Sequence, residues 1–238
     1  TLPRPALGCC KGCRQGVWHR WGMQPPSTPG KLIGLLDPAP TSLTEDRISS
    51  QEVLRGVFLH AFRDQVRLPD GSTATREYVV HPGAVMIIPL LEGADGVLQV
   101  VLERQFRYPV GRTMVEFPAG KLDPGESIWA CAQRELREET GYRATHWARV
   151  GVMHPVIAYS TEYIDVWFAQ GLQAGARALD AGEFLEVFEL PAPDLLRACL
   201  DGSVTDAKTL VGALWLQNYL QGQVALDWQV QAIGDADA

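Results

Sequence analysis

Residues 120–142 read Gly120-Lys121-Leu122-Asp123-Pro124-Gly125-Glu126-Ser127-Ile128-Trp129-Ala130-Cys131-Ala132-Gln133-Arg134-Glu135-Leu136-Arg137-Glu138-Glu139-Thr140-Gly141-Tyr142. The pattern predicts a loop through Asp123-Pro124-Gly125 and then a helix from about Ser127 to Thr140. Gly141 stops the helix as a left-handed cap. At about 100° per residue, Glu135, Glu138 and Glu139 fall within a quarter to a third of the circumference. Trp129, Ala132 and Leu136 form an apolar stripe about a quarter-turn away. Such a helix packs on a sheet through one stripe and holds three carboxylates together at its edge.

Clustered carboxylates repel one another, which costs stability or raises a pKa. A divalent cation removes the conflict, and Mg²⁺ favours oxygen ligands and bridges carboxylates to phosphate. Arg134 is placed to pair with Glu138 four residues on and to reach back to Glu126. Taken alone, the three Glu also fit a solvated acidic helix face.

Outward from this segment the pattern is mixed. Strands are expected at Val53–Phe62, Gln65–Leu68, Thr75–Val80, Ala84–Leu91 and Val97–Glu103, with turns at Pro69-Asp70-Gly71 and Gly93–Gly96. Further strands are expected near Trp147–Met153, Tyr163–Ala169 and Leu185–Leu190, with helices near Pro193–Leu200 and Asp206–Leu220. Irregular mixing of this kind indicates one α/β (α+β) domain over residues 46–238. Residues 1–45 hold seven of the 16 prolines and show poor apolar periodicity, so they read as a flexible leader. Met23 is the first methionine, and one reading makes it the true start. Cys9, Cys10 and Cys13 crowd this leader, where a zinc site would have only His19 as a further ligand.

The 238 residues carry 21 Lys and Arg against 28 Asp and Glu, a formal charge of −7. That balance argues against coating nucleic acid polymers or anionic membranes. No apolar run has the length of a membrane helix, and the scattered cysteines fit a reducing, cytoplasmic setting. A small anionic ligand stays compatible, because local charge can oppose the total.

The full spacing is more specific than the three Glu. Gly120, five residues, Glu126, seven residues, then Arg134-Glu135-Leu136-Arg137-Glu138-Glu139-Thr140-Gly141-Tyr142 resembles the Nudix box. Its seven fixed letters would coincide by chance about once in 10⁸ windows. The resemblance implies the Nudix fold, a mixed β-sheet sandwiched between helices. It also implies Mg²⁺-dependent hydrolysis of a nucleoside diphosphate linked to another group, with Mn²⁺ as a substitute cation. It casts Glu135, Glu139 and the Ala119 backbone carbonyl as metal ligands, and Glu138 as a further ligand or support. Arg134 orients the cluster.

Outside the box, Arg76-Glu77, His81-Pro82-Gly83-Ala84-Val85, Glu103-Arg104-Gln105-Phe106-Arg107 and Glu116-Phe117-Pro118-Ala119-Gly120 are similar to the ADP-ribose pyrophosphatase subgroup. That similarity assigns Arg76, Glu77 and Arg107 to substrate, with a salt bridge as the alternative for Arg104 and Arg107. It makes Glu162, in the loop His154–Glu162, the candidate general base, with a surface Glu at a strand entrance as its alternative. The loop departs from the subgroup's Ser-Pro-Gly form, having Val156-Ile157-Ala158-Tyr159. His81 and His154 read as packing or hydrogen-bonding residues rather than ligands. An adenine-stacking ring is left open among Phe58, Phe62 and Tyr78. The resemblance further implies a homodimer with exchanged N-terminal strands. The expected reaction is ADP-ribose to AMP and ribose 5-phosphate. A GDP-sugar or NADH pyrophosphatase is the nearest alternative, and a ligand-sensing regulator a more distant one.

Overall fold

Strand β4 (Ala84–Glu92) is buried at seven successive positions from Ala84 to Leu90. A strand apolar at both parities needs cover on both faces, and the architecture of the computed structural model follows from that need. Residues 43–94 and 96–232 are described. Val85 and Ile87 pack with Cys131, Ala132 and Leu136 of α1 (Ile128–Thr140). Met86, Ile88 and Leu90 share the opposite core with Ala192 and Leu195 of α2 (Ala192–Leu200) and Leu216 of α3 (Ala207–Leu220). The sheet is therefore sandwiched between helices, as expected. Burying Leu136 completely stabilises the α1 side by about 2–3 kcal/mol.

The other strands of this sheet are β5 (Leu98–Arg107), β6 (Arg112–Glu116), β7 (Ala119–Lys121), β8 (Tyr142–Met153), β9 (Ile164–Ala174), β10 (Leu185–Pro191) and β11 (Gln229–Val230). Their order is β10-β5-β4-β9-β8-β11, with β6 on β5 and β7 on β4. β4 and β9 run parallel with Ala84 opposite Ile164, and the other pairs are antiparallel. Along one edge β4 changes partner. Residues 84–86 pair with β7, whereas Leu90–Glu92 pair with β5. Between them the chain crosses at Pro118, whose carbonyl accepts from the Ile87 N–H at 2.9 Å. This split in the sheet brings residues 116–121 beneath α1.

The chain divides into two compact units, which among the described residues are 43–48 with 66–74 and 49–65 with 75–232. In the first, the expected turn is present. Leu68 N–H donates to Ser72 at 2.8 Å, and Asp70 accepts from the Ser72 N–H at 2.9 Å. In the second, the strand segments 49–55, 60–65 and 75–80 add a separate sheet in the order β1 (Asp46–Arg55), β2 (His60–Arg67), β3 (Thr73–Val80).

Three expectations need correction. The strand expected over Val53–Phe62 is two strands, because Gly56 N–H donates to Leu59 at 2.8 Å and turns the chain. Val57, Phe58 and Leu59 are exposed at that tip, so their apolarity does not mark strand burial. β8 begins at Tyr142, directly after the helix cap, rather than at Trp147. Arg143, Thr145 and His146 mask its alternation. The short strands β6, β7 and β11 were not expected.

Among the described residues no helix is long and apolar enough to cross a membrane. The leader reading for residues 1–42, the cysteine cluster with His19 and the role of Met23 lie outside the described residues.

Candidate active site

Helix α1 begins where Ser127 Oγ accepts from the Ala130 N–H at 3.1 Å. It ends at Gly141, whose φ of 78° is left-handed and whose N–H donates to the Arg137 carbonyl at 2.8 Å. Both ends are thus satisfied locally, which fixes the helix's register over the sheet. In that register Glu135 and Glu139 are buried and Glu138 is half-buried.

Two residues of β7 meet the two buried carboxylates. Ala119 N–H donates to Glu139 Oε2 at 2.9 Å. Gly120 lies so close to Glu135 that a Cβ there would overlap its carboxyl group. Burial pushes Glu135 up to about 7. Glu139 is raised well above the usual carboxylate range, first by burial and then by the charges of Glu103, Glu135 and Glu183.

Arg134 holds the rest of the cluster. It grips Glu126 through Nε and Nη2, both at 2.8 Å, and Nη1 reaches Glu135 at 2.8 Å and Glu138 at 3.1 Å. Its Nη2 also donates to the Lys121 carbonyl at 3.0 Å, tying the helix to β7. The guanidinium pulls Glu126 down to about 2. Both pairings anticipated for Arg134 are present.

Glu103 was not singled out from the sequence. It is fully buried on β5, neither carboxylate oxygen has a hydrogen-bond partner among the described residues, and burial pushes it up to about 8. Directly opposite on β6 is Glu116. Arg107 grips Glu116 through two bonds of 2.7 and 2.8 Å, and Lys208 Nζ also donates to it. Strand parity carried a signal for Glu103: Val100 and Leu102 line the α2/α3 core, so Val101 and Glu103 face the α1 side.

Arg107 thus makes an intrachain ion pair beside the cluster, and the charges of Glu103 and Glu139 help to raise its pKa. Arg104 pairs with Glu186 at 3.1 Å and lies 3.9 Å over the Phe188 ring. Glu77 accepts from Arg63 at 2.7 Å, and Arg76 Nη1 donates to the Thr75 carbonyl at 3.1 Å, both within the β1–β3 sheet. Glu77 is not brought to the α1 carboxylates by any hydrogen bond among the described residues.

Glu162 approaches from another side. Its N–H donates to Ser160 Oγ at 3.1 Å. Its charge acts on His81, whose pKa is lowered mainly by burial, raised by Glu162 and lowered by Lys121. Lys121 Nζ lies 4.5 Å over the Phe58 ring, and Phe58 meets His81 edge-on at 5.9 Å. Phe62 stacks on Tyr78 at 5.9 Å, so both rings already have an aromatic neighbour. Phe58, His81, Lys121 and Glu162 therefore gather at the end of β7, whose other two residues touch Glu139 and Glu135. His81 is a hydrogen-bonding residue, one of the two roles expected of it: its Nδ1 accepts from the Gly83 N–H at 3.1 Å.

Among the described residues, no three His, Cys, Asp or Glu side chains stand close enough, as placed, to enclose an ion. The donor set nevertheless suits a hard cation. Glu135 and Glu139 are one helical turn apart and disfavour two bare negative charges, a conflict that a cation relieves. Burial raises the Cys131 thiol, so it stays protonated and offers no soft thiolate.

Known proteins resemble this chain in sequence and in fold. The model of the NUDIX domain matches residues 80–210, and that of the nucleoside diphosphate sugar hydrolase N-terminal domain matches 45–79. An ADP-ribose pyrophosphatase of Bacillus subtilis (strain 168) is 36% identical over 74% of this chain and 94% of its own. A methanol dehydrogenase activator of Bacillus methanolicus is 33% identical over 73% of this chain and 92% of its own. The crystal structure of an ADP compounds hydrolase superposes with a TM-score of 0.67 at 22% identity. It covers 75% of this chain and 95% of that one, and it shares the fold.

Proposed function

The chain belongs to the Nudix hydrolase family, and from that premise we propose that it hydrolyses ADP-ribose to AMP and ribose 5-phosphate. The observation that carries the reading is the pair Glu135 and Glu139. Both are buried, have raised pKa values and are held against β7 by Gly120 and the Ala119 N–H. The similarity to an ADP-ribose pyrophosphatase over most of both chains supports the adenosine diphosphate sugar as substrate.

Glu135, Glu139 and the Ala119 carbonyl would hold Mg²⁺, or Mn²⁺ in its place, with Glu138 in support. Bound there, the cation would neutralise the diphosphate and make a coordinated water more acidic. Arg134 keeps the carboxylates fixed, so little reorganisation accompanies the reaction. Glu162 accepts the proton of the attacking water. The water oxygen bonds to phosphorus, the bridging P–O bond breaks, and the departing oxygen leaves on the second phosphate. Arg107 contacts the diphosphate from beside Glu139, and Arg76 and Glu77 contact the rest of the substrate.

A homodimer fits this reading. Ile48, Val53 and Leu54 of β1 and the tip Val57–Leu59 are exposed in the single chain, and pairing with a second copy would cover them. It would also bring Arg76 and Glu77 of one protomer towards the site of the other. A reducing cytoplasm fits the free thiols of Cys131 and Cys199.

Purified protein with Mg²⁺ and a panel of ADP-ribose, GDP-mannose, NADH and nucleoside triphosphates tests the proposal. Preferential turnover of ADP-ribose supports it. Preference for a substrate without adenine overturns the ADP-ribose assignment, and no turnover of any overturns the enzyme reading.

A further inference from the structure

Beside α1 lies a cavity of about 330 Å³ that shares Arg134 and Glu126 with the carboxylate cluster but is not lined by Glu135, Glu138 or Glu139. It is walled by α1, by the start of β8 and by residues at β11. Three guanidinium groups line it, Arg134, Arg137 and Arg143, against one carboxylate, Glu126. In a chain of net charge −7 this is a local reversal of sign.

The three arginines differ in what already holds them. Arg134 is committed to Glu126, Glu135 and Glu138. Arg137 has one long contact, 3.4 Å to Glu138, and its side chain is 40% exposed. Arg143 is paired through its backbone with Gln173 of β9, and its guanidinium has no hydrogen-bond or ion-pair partner among the described residues. Two guanidinium groups thus face one cavity with most of their donors unfilled. The floor is Trp147, whose Nε1–H is taken by the Ala144 carbonyl at 3.1 Å, leaving an apolar surface. Gln133 and Gln231 hydrogen-bond to each other and close a wall between α1 and β11.

We propose that this cavity binds a phosphate group, as inorganic phosphate or a phosphate monoester, through Arg137 and Arg143. Planar guanidinium forks match phosphate oxygens two at a time. The volume exceeds what a phosphate alone needs and reaches the lower end of sites that hold small organic ligands. The apolar floor gives the organic part of a monoester a place to rest. The site needs neither cation nor turnover, so it stands apart from the ADP-ribose reading.

The test uses the full chain in EDTA at constant ionic strength made up with chloride. Inorganic phosphate and phenyl phosphate, neither of them a product of the proposed reaction, are titrated separately, followed by calorimetry and by tryptophan fluorescence, since Trp147 lines the cavity. Saturable binding is expected, with Kd raised about tenfold or more in both Arg137→Gln and Arg143→Gln. Glu162→Gln, at the other side of the site, should leave Kd unchanged. A tighter Kd for phenyl phosphate identifies a monoester as the better ligand, and equal values identify free phosphate. No saturation below about 10 mM, or binding that survives both arginine substitutions, overturns the proposal. Turnover of ADP-ribose by Arg143→Gln, assayed separately, reports on the catalytic reading alone.

Discussion

Glu103 and Glu116 stand directly opposite each other on β5 and β6, yet only Glu116 has partners. Arg107 and Lys208 hold Glu116, and although burial alone would raise its pKa, the two cations bring it below the usual carboxylate range. Glu103 has no partner, and burial followed by the Glu116 charge raises it to about 8. Between the ordinary 4.5 and about 8 the folded chain therefore keeps a proton that the unfolded chain has released. Stability from this group is complete below 4.5 and is lost as pH rises through that window. Glu103→Gln should remove the loss. In EDTA, the variant should gain stability over the parent by an amount that grows from pH 5 to pH 8, to on the order of a few kcal/mol. Urea midpoints at the two pH values measure it, and a gap that does not widen would show that Glu103 is ionised in the fold.

Much of this site was legible because helix geometry is local. The spacing of Arg134, Glu135, Glu138 and Glu139 fixes which side chains share a face, and the Arg134 contacts follow from it. Gly141 announced the helix end for an equally local reason. The sandwich was expected from the resemblance of the Gly120–Tyr142 segment, and the uninterrupted burial of β4 shows the physical need for its two covering layers. What escaped depends on distant pairing. Glu103 and Glu116 are 13 residues apart and meet only through strand register. Lys208 reaches Glu116 from α3, a contact across 92 residues that no motif spacing encodes. The short β7 escaped because Ala119-Gly120-Lys121 has neither β-branched residues nor length, and its conformation is imposed by β4.

Gly120 has no side chain for a steric reason. A methyl group there would occupy the space of the Glu135 carboxyl. Gly120→Ala should push that carboxylate out of place while leaving the helix caps intact. Misplacement by about 1 Å costs on the order of 100-fold in rate. Steady-state kcat/KM should fall by about that factor, with Mg²⁺ affinity reduced and far-UV circular dichroism unchanged. Parent-like kinetics would remove Glu135 from the reacting centre.

Cation binding should release protons. Glu135 sits at about 7 and Glu139 well above the usual range, so a large share of both is protonated at pH 6. A cation must displace those protons before it is coordinated. Calorimetric titration with Mg²⁺ at pH 6, run in two buffers of different ionisation enthalpy, should give apparent enthalpies whose difference corresponds to at least about one proton per ion. The release should shrink towards pH 9. The same sign predicts weaker Mg²⁺ binding as pH falls. Equal enthalpies in the two buffers would mean that the carboxylates are already ionised.

Glu162 and Glu139 are expected to fail differently when neutralised. Glu139 takes the Ala119 N–H and lies within the carboxylate cluster, so Glu139→Gln removes one of the proposed cation ligands. Glu162 stands with His81 and Lys121 at the other end of β7, outside that cluster. The proposed role of proton acceptor requires a free carboxylate facing the attacking water, not the ion. General base catalysis contributes about 10²–10⁴-fold, so Glu162→Gln should lower kcat by that order. Mn²⁺ affinity, read by electron paramagnetic resonance of the free ion, should stay within about twofold of the parent. Glu139→Gln should weaken Mn²⁺ binding in the same assay and lose most turnover while remaining folded. If the two variants lose metal affinity equally, Glu162 is a ligand and the proton goes elsewhere. If Glu162→Gln retains the parent's kcat, the base lies on another element, and His81, the neighbour on which the Glu162 charge acts, is the residue to substitute next.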